Sequence, residues 1–529
     1  MQTQKWQFTI AELSYLIFIA IMTLAKGFGL YDGMALYKIS LLAGAAFFAL
    51  KLCLTEQSVY EWIWTLALLG LGVLIYYNSG ETGALIYIAV IVGMKGVNLN
   101  HVLVLSLIIW SSTFVIQIIT SLLGVRTDIF RVQEKLGLGH IIRWSLGAPH
   151  PNVLQITLIM ICGLILYFVN AKGRQLLFIV GLMVVANLYI FMYSVSYTGI
   201  ITAFFYLFVH IYLCMRKRLT VAEKVAVYVA FPTCVIFSIV GPLTYPSKFW
   251  EFCNKLFNTR FRLALNYMQN EPLTLFGARP SDRIGEAMRN LDCSYVYALM
   301  HYGVVLFALM VLVYLLYIHH CMKQNKYREI AMVLGMAVAA VAEPFFVNSS
   351  FKNITVFLIG AYLFSASEKY CKKHVGTLLS KQITLTQLGN KRIEIDITKI
   401  KSLASQTGVT FIENRKKILT SSLVVAVIAA IIFALCFDIP TCYYAKRSST
   451  QILEKKWIYL DVENLPEDFE GKILNYGDAD TPMQRFEGNI GKVEYVRGTI
   501  STGLWCGLGG MVICTFVAFV RNKDRKSKL

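Results

Sequence analysis

Residues 101–123 read HVLVLSLIIWSSTFVIQIITSLL, a stretch of 23 residues without a single Asp, Glu, Lys or Arg. An α-helix of about 20 apolar residues spans the hydrocarbon core of a bilayer, so this stretch predicts a transmembrane helix. Closed β-barrels instead show short segments of alternating hydrophobicity, a pattern that this stretch lacks. The stretch therefore predicts a helical membrane protein.

The composition extends this prediction to the whole chain. Of the 529 residues, 57% are hydrophobic and only 15% are charged, and the mean hydropathy is positive. Soluble domains carry about a quarter charged residues. Further apolar runs predict an all-α polytopic integral membrane protein with about fourteen transmembrane helices. The predicted spans lie near residues 11–29, 34–53, 60–77, 82–96, 101–123, 152–169, 174–193, 197–214, 222–242, 295–318, 328–346, 351–366, 417–437 and 501–520.

The charges of the connections orient these helices. Lys and Arg accumulate in the cytoplasmic loops of membrane proteins. Every second connection is basic, from Lys51 and Lys95 to the RNKDRKSKL tail at 521–529, whereas YYNSGET at 76–82 carries no Lys or Arg. This alternation predicts that both termini are cytoplasmic. The net charge of +19 is thereby attributed to membrane topology, and no nucleic-acid partner is expected.

Three longer connections are predicted on the outer face of the membrane, at 124–151, 243–294 and 438–500. The first two belong to a polytopic membrane domain over residues 1–366. The third is soluble in composition, with 11 Asp and Glu against 8 Lys and Arg, and lies within a C-terminal unit over 417–529. A helix pair in this unit is expected to enclose the small outer segment.

The intervening segment 367–416 is basic and is predicted to be cytoplasmic. Alternating apolar and polar residues predict short strands in RIEIDITKI at 392–400, WIYLDV at 457–462 and KVEYV at 492–496. None of these segments carries a recognisable catalytic signature.

Arginine is the main cation of the first two outer loops, which runs against the usual exclusion of positive charge from the outer face. A guanidinium binds phosphate through two parallel hydrogen bonds, so the arginines predict a site for a diphosphate. Alternatively, they bind anionic lipid headgroups or pair with local acids such as Asp282 and Glu286. The arginines concerned are Arg126, Arg131, Arg143, Arg260, Arg262, Arg279, Arg283 and Arg289.

Loop 124–151 ends in an imidazole at the predicted membrane surface. Pro149 and Pro151 flank His150 and restrict its backbone, and Asn152 is suited to cap the following helix. A lone histidine is more often structural than catalytic. Arg143 in the same loop favours a functional site.

Two carboxylates are further candidates. Asp292 lies just before the predicted span at 295–318 and is either a helix cap favoured by the helix dipole or a general base. Glu343 lies near the end of an apolar run, where a charge is costly and is often functional or paired. Lys352 or an arginine is the expected partner of Glu343 if its role is structural.

Five segments, in this order along the chain, resemble the motif series of Wzy-type polysaccharide polymerases. These enzymes belong to the O-antigen polymerase and ligase group of glycosyltransferases, and the likeness is strongest to capsular or exopolysaccharide polymerases of Gram-positive bacteria. The resemblance covers roughly residues 100–366. The segments are RWSLGAPHPN at 143–152, YSVSYTG at 193–199, LFGARPSD at 275–282, LDCSYVYALMHYGVVLF at 291–307 and AEPFFVNSSFKN at 342–353.

The resemblance implies a multi-pass protein of the bacterial cytoplasmic membrane. Its substrate would be a polyprenyl-diphosphate-linked oligosaccharide, and a growing glycan would pass from the lipid diphosphate to a sugar hydroxyl of a new repeat unit at the outer face. By position, Asp292 is assigned as the general base and His150 as a second catalytic candidate, with Asn152, Tyr295 and Glu343 in support. The eight arginines would bind the diphosphate. Because arginine can supply positive charge and no Cys-x-x-Cys pair occurs, no metal or other cofactor is expected.

The resemblance also has departures and alternatives. Many relatives have an arginine where this chain has Tyr197, and residues 367–529 lie outside the resemblance. A ligase of the same group, or a flippase for lipid-linked sugars, is the alternative function. Expected partners are the lipid-linked glycan and membrane lipid, with a flippase and a chain-length regulator as further candidates.

Overall fold

The computed structural model describes residues 5–126, 130–135, 139–284, 291–374, 376–396, 398–436, 442–447, 457–461, 483–487 and 490–527. Most of these residues are helical. The α-helices are α1 (Ile10–Gly27), α2 (Ala35–Leu54), α3 (Val59–Ser79), α4 (Gly83–Gly93), α5 (Leu99–Leu122), α6 (Pro151–Phe168), α7 (Gly173–Ser194), α8 (Tyr197–Met215), α9 (Val221–Val240), α10 (Lys248–Leu256), α11 (Arg260–Asn270), α12 (Ser294–Tyr297), α13 (Gly303–Lys323), α14 (Tyr327–Ala340), α15 (Thr355–His374), α16 (Thr377–Ser380), α17 (Thr398–Cys436) and α18 (Ile490–Ser527).

Among the described residues, eleven helical segments are long and apolar enough to cross a membrane. The chain is therefore an all-α multi-pass membrane protein. Every predicted span coincides with a helix, but three coincide with α4, α14 and α15, which do not meet this criterion. The total of about fourteen and the cytoplasmic placement of both termini stay predictions. The eleven segments are α1, α2, α3, α5, α6, α7, α8, α9, Ser294–Lys323, Ser405–Cys436 and Gly491–Arg521.

Local sequence explains where several helices begin. Ser58 and Glu61 form a capping box at the start of α3, in which each side chain bonds the backbone N–H of the other residue. Thr220 and Glu223 do the same at the start of α9. Pro151 occupies the first position of α6, where a missing N–H is not costly.

The chain forms two compact units. The larger comprises residues 8–127 and 146–392, and the smaller comprises residues 1–7, 128–145 and 393–529. All residues of the candidate site described below, except two arginines, belong to the larger unit.

The directions of three helices of the larger unit, α6, α8 and α14, follow from which residues meet at their ends. Asn152 and Thr198, each near the start of its helix, contact Glu343, which follows the end of α14. Phe168 at the end of α6 and Tyr327 at the start of α14 instead line one common cavity. Helices α6 and α8 therefore run in one direction and α14 runs in the other, as the alternation of predicted spans requires.

The described strands are short and pair locally. They are β1 (Lys5–Thr9), β2 (Gln57–Ser58), β3 (Phe130–Lys135), β4 (Gly139–Trp144), β5 (Gln382–Ile383), β6 (Arg392–Asp396), β7 (Cys442–Arg447), β8 (Trp457–Asp461) and β9 (Met483–Glu487). Strand β1 pairs with β6, β2 with β5 and β3 with β4, while β7 lies between β8 and β9. The register of the β3–β4 hairpin places Arg131 opposite Arg143.

Two of the three strand predictions are confirmed, since RIEID forms β6 and WIYLD forms β8. The prediction for KVEYV at 492–496 is wrong, because these residues belong to α18. The helix of the following span extends beyond its apolar part, since propagating an existing helix is easier than nucleating a new element. Arg497, which is 1% exposed, donates from Nη1 to the Ile142 carbonyl (2.6 Å) within the smaller unit.

Candidate functional site

A buried carboxylate, Glu343, lies at the centre of the candidate site. The residue follows α14 and is 7% exposed. Its Oε1 accepts hydrogen bonds from Arg260 Nη2 (2.9 Å), Asn152 Nδ2 (3.0 Å) and the Thr198 hydroxyl (3.4 Å). These donors come from α11, α6 and α8, so one carboxylate joins three helices. Burying a charge without such donors would cost several kcal/mol.

Arg260 connects Glu343 to the second candidate carboxylate. Its Nη2 lies 3.3 Å from Asp292 Oδ2, and its Nη1 donates to the Phe257 carbonyl (3.0 Å). The Arg260 side chain is 6% exposed and that of Asp292 is 38% exposed. Asp292 is thus the member of this group that solvent or a substrate can reach.

An unusual turn aims Arg260 at the two carboxylates. Asn258 and Thr259 have φ values of 50° and 67°, in the left-handed region that β-branched residues such as Thr rarely adopt. Arg260 follows directly as the first residue of α11. Backbone strain of this kind occurs where the surrounding structure requires it, and here it lies at the junction between α10 and α11.

His150 acts as the N-terminal cap of α6. Its Nδ1 accepts a hydrogen bond from the Asn152 backbone N–H (3.1 Å), which in a neutral imidazole leaves the proton on Nε2. The preceding turn contains Gly147 with a φ of 80°. A Cβ atom there would lie 2.6 Å from the Gln117 carbonyl oxygen, so only glycine fits. This close approach fixes the loop that presents His150 and Asn152.

The segment after Asp292 ties the site to α14. The Ser294 hydroxyl donates to the Glu343 carbonyl (2.5 Å) and accepts from the Phe346 N–H (3.2 Å). Tyr295 is fully buried, and its hydroxyl donates to the Ala337 carbonyl (2.9 Å). Tyr295 therefore supports the site from the protein interior, through its contact with α14.

A polar network inside the bundle holds α6, α7 and α8 together below Asn152. Gln155 donates to Asn187 Oδ1 (2.9 Å) and accepts from the Ser194 hydroxyl (3.2 Å). Gly199 lies so close that a Cβ atom would meet Gln155 at 2.4 Å. The relative positions of Asn152 and Thr198 are thus set by buried contacts.

The described arginines among those predicted to bind the diphosphate have different surroundings. Arg260 contacts both carboxylates, and Arg126 donates to the Phe28 carbonyl (3.1 Å). Gly29 packs between Arg126 and Pro149, which places that guanidinium near the turn before His150. Three further arginines, Arg262, Arg279 and Arg283, are exposed in the larger unit. Two others, Arg131 and Arg143, belong to the β3–β4 hairpin of the smaller unit. Arg289 and Glu286 lie outside the described residues.

The two proposed structural partners of Glu343 behave differently. Arg260 makes the contact, whereas Lys352 lies with its Nζ 5.6 Å from the centre of the Trp110 ring.

Sequence reasoning missed Thr198 and Ser294. Both stand in segments that carry the family resemblance, so the signal was present, but neither residue type suggests chemistry by itself. The ring centre of Tyr197 lies 5.8 Å from that of Phe191.

The arrangement is suited to bind an anionic ligand, and the exposed Asp292 is suited to transfer a proton. Helices α6 and α8 both begin at the site, and the start of a helix carries partial positive charge. Within the described part of the chain, no group of three or more His, Cys, Asp or Glu residues could hold a metal ion. The guanidinium of Arg260 supplies a fixed positive charge beside Asp292 and Glu343.

The chain matches no protein-family model, no curated protein and no solved structure.

Proposed function

We propose that this chain polymerises polyprenyl-diphosphate-linked oligosaccharide repeat units by glycosyl transfer at the outer face of a bacterial cytoplasmic membrane. One observation carries the proposal. Four of the five segments that resemble the polymerase motifs meet at Glu343, through Asn152, Thr198, Ser294 and Glu343 itself. The four segments are far apart in the sequence, and their convergence on one end of the bundle is what a shared active site requires.

The remaining segment, LFGARPSD at 275–282, packs against LDCSYVYALMHYGVVLF at 291–307. The Leu275 carbonyl accepts from the Val305 N–H (3.2 Å), and Gly277 lies against the backbone of His301. A Cβ atom at Gly277 would lie 2.1 Å from the His301 carbonyl oxygen. Apart from residues 143–145, which belong to the smaller unit, all five segments therefore lie in the larger unit.

The residues of the site divide the proposed chemistry between them. A sugar hydroxyl of the incoming unit attacks the anomeric carbon of the growing chain, and its proton passes to Asp292 as general base. The bond from that carbon to the diphosphate breaks, and the polyprenyl diphosphate leaves with the bonding electrons. Arg260 stabilises the leaving anion electrostatically. Glu343 positions Arg260 from the buried side.

The alternative functions predict different products, which a gene deletion distinguishes. Loss of long glycan with single lipid-linked repeat units remaining at the outer face supports the polymerase. Full-length glycan left on its lipid carrier would indicate a ligase. Failure of the units to reach the outer face would indicate a flippase. The readout is a gel of total glycan, with the lipid-linked fraction extracted from membranes in parallel.

Reconstitution tests the reaction directly. The purified protein in lipid vesicles is given lipid-linked repeat units extracted from the deletion strain, and chain length and released polyprenyl diphosphate are followed together. Polymerisation produces both in step. A preparation of folded wild-type protein that lengthens no chains would overturn the proposal.

A further inference from the structure

A charged cavity lies at the end of the bundle opposite to Glu343. Its volume is about 490 Å³, and Phe168, Cys214 and Tyr327 contribute to its wall. These residues lie at the far ends of α6, α8 and α14, whose other ends carry Asn152, Thr198 and Glu343. The 18 residues of α6 separate the two places by about 27 Å at 1.5 Å per residue. The cavity is distinct from the candidate active site.

Basic side chains dominate the charged lining of this cavity. Lys172, Arg216, Lys326 and Arg328 line it, and Glu329 is the acid among its lining residues. They come from three separate stretches of the chain: Lys172 from the α6–α7 connection, Arg216 from the end of α8, and Lys326 with Arg328 from the start of α14. These three stretches meet only through the tertiary structure.

Local acids compensate part of this charge. Arg216 Nη2 lies 2.9 Å from Glu223 Oε1, and Lys326 Nζ lies 3.5 Å from Glu329 Oε1. The other oxygen of Glu329 accepts a hydrogen bond from the Tyr317 hydroxyl, which further occupies this carboxylate.

Arg328 is held by neutral groups. It donates from Nη2 to Asn170 Oδ1 (2.5 Å) and from Nη1 to the Tyr167 carbonyl (3.5 Å). These bonds fix the guanidinium without neutralising it. Lys172 is exposed beside it at the start of α7. Counting both neighbouring acids, Glu223 and Glu329, against the four cations leaves two positive charges in the lining.

We propose that this cavity binds a phosphate-bearing anion. A guanidinium held by its own hydrogen bonds presents its remaining N–H groups in the geometry that phosphate oxygens accept, and a flexible ammonium adds a second charge. The volume exceeds that of a single phosphate, and Phe168 and Ala171 supply an apolar wall. Phospholipid headgroups and soluble phosphate compounds share the chemistry that this site recognises. The predicted topology places the cavity at the cytoplasmic surface, where anionic lipid is abundant.

The test uses purified full-length protein in a neutral detergent. Two probes are titrated separately: short-chain phosphatidylglycerol below its micellar concentration, and inorganic diphosphate. Binding is followed by native mass spectrometry and by the rise in thermal unfolding temperature. The variants are Lys172→Gln/Arg328→Gln and, because Arg328 also holds the α6–α7 connection, Lys172→Gln alone. The matched control, Lys217→Gln/Arg218→Gln, removes two exposed charges from the same end of the bundle outside the lining.

We expect the double variant to weaken binding about tenfold or more, because a charge-assisted phosphate contact contributes roughly that factor. Lys172→Gln alone should weaken it less, and the control should bind as the wild type does. Binding of phosphatidylglycerol alone identifies a lipid headgroup as the ligand, and binding of diphosphate identifies a soluble anion. Equal binding by wild type, both cavity variants and control would overturn the proposal, as would no binding of either probe by the wild type.

Discussion

At the scale of single residues, one guanidinium lies between two carboxylates whose surroundings differ. Glu343 is buried among donors from three helices, whereas Asp292 is more than a third exposed. The same Nη2 atom of Arg260 contacts both. A buried carboxylate that joins helices is suited to position a neighbour, and an accessible one is suited to exchange a proton. The two acids are therefore suited to different roles, Glu343 to a structural one and Asp292 to the proposed chemical one.

Replacing Arg260 by Gln should destabilise the protein by about 3 kcal/mol, because it leaves the Glu343 charge buried without its ionic partner. The free energy of unfolding is measured in mixed micelles. The double variant Arg260→Gln/Glu343→Gln should lose less than the sum of the two single variants, since neither charge is then left alone. Strict additivity would show that the two side chains are not coupled.

Replacing Asp292 by Asn should leave the unfolding temperature close to that of the wild type and lower the rate of chain extension about a hundredfold or more. The amide keeps the shape of the carboxylate but is a far weaker base. Polymer length and initial rate are measured in reconstituted vesicles. The control is Glu251→Gln, which replaces an exposed acid in the same predicted loop 243–294 and should behave as the wild type. Wild-type rates in the Asp292 variant would remove it from the mechanism.

At the scale of elements, the start of α6 positions two residues of the candidate site, His150 and Asn152. The imidazole of His150 caps the helix through its Nδ1, and the turn before it depends on the close packing of Gly147 on α5. Asn152 follows on the same turn and reaches Glu343. The cap residue His150, the turn at Gly147 and the Glu343 contact of Asn152 thus form one local unit. A substitution in this unit can therefore disturb the site by displacing Asn152, without removing a chemical group.

Two substitutions at His150 distinguish capping from proton transfer. Asparagine is a good N-cap and alanine is a poor one, so His150→Ala should cost about 1 kcal/mol of stability and His150→Asn little. If the cap is the role of His150, polymerisation persists in the Asn variant and falls in the Ala variant. Loss of activity in both variants with a stable Asn variant would instead assign catalysis to the imidazole.

Replacing Gly147 by Ala should destabilise the loop before α6 by about 1–3 kcal/mol, because the residue has a left-handed backbone and its Cβ would press on the Gln117 carbonyl. Gly181→Ala is the control, since that residue lies in mid-helix with open space around it. The control should be neutral or slightly stabilising. Thermal unfolding and protease sensitivity are compared, and equal behaviour of the two variants would contradict the expectation.

At the scale of the whole molecule, the two ends of the bundle differ in their chemistry. One end carries the Glu343 group with helix starts directed at it, and the other carries the basic cavity around Arg328. Helices α6, α8 and α14 reach both ends. The orientation of the protein in the membrane therefore decides which compartment the Glu343 group faces and which compartment the basic cavity faces.

Reporter fusions measure this orientation. A green fluorescent protein fused after Leu529 should be fluorescent, because the predicted C-terminus is cytoplasmic. Alkaline phosphatase, which is active only outside the cytoplasm, should be active when fused within α10 after Glu251. The reverse result at both positions would place the proposed active site in the cytoplasm. It would also remove the proposed polymerase reaction from the outer face.

The sequence alone determined that this is a helical membrane protein and where its long apolar helices lie, because burial of apolar runs in lipid depends on local composition. It also singled out Glu343, Arg260, Asp292 and Asn152 as candidates. Only the tertiary structure decided which of these meet, since their contacts depend on helix packing and on the turn that aims Arg260. The same holds for KVEYV, where the helix of the neighbouring span overrode the local strand pattern. Contacts between segments many residues apart follow from how the whole bundle packs, and no local pattern specifies them.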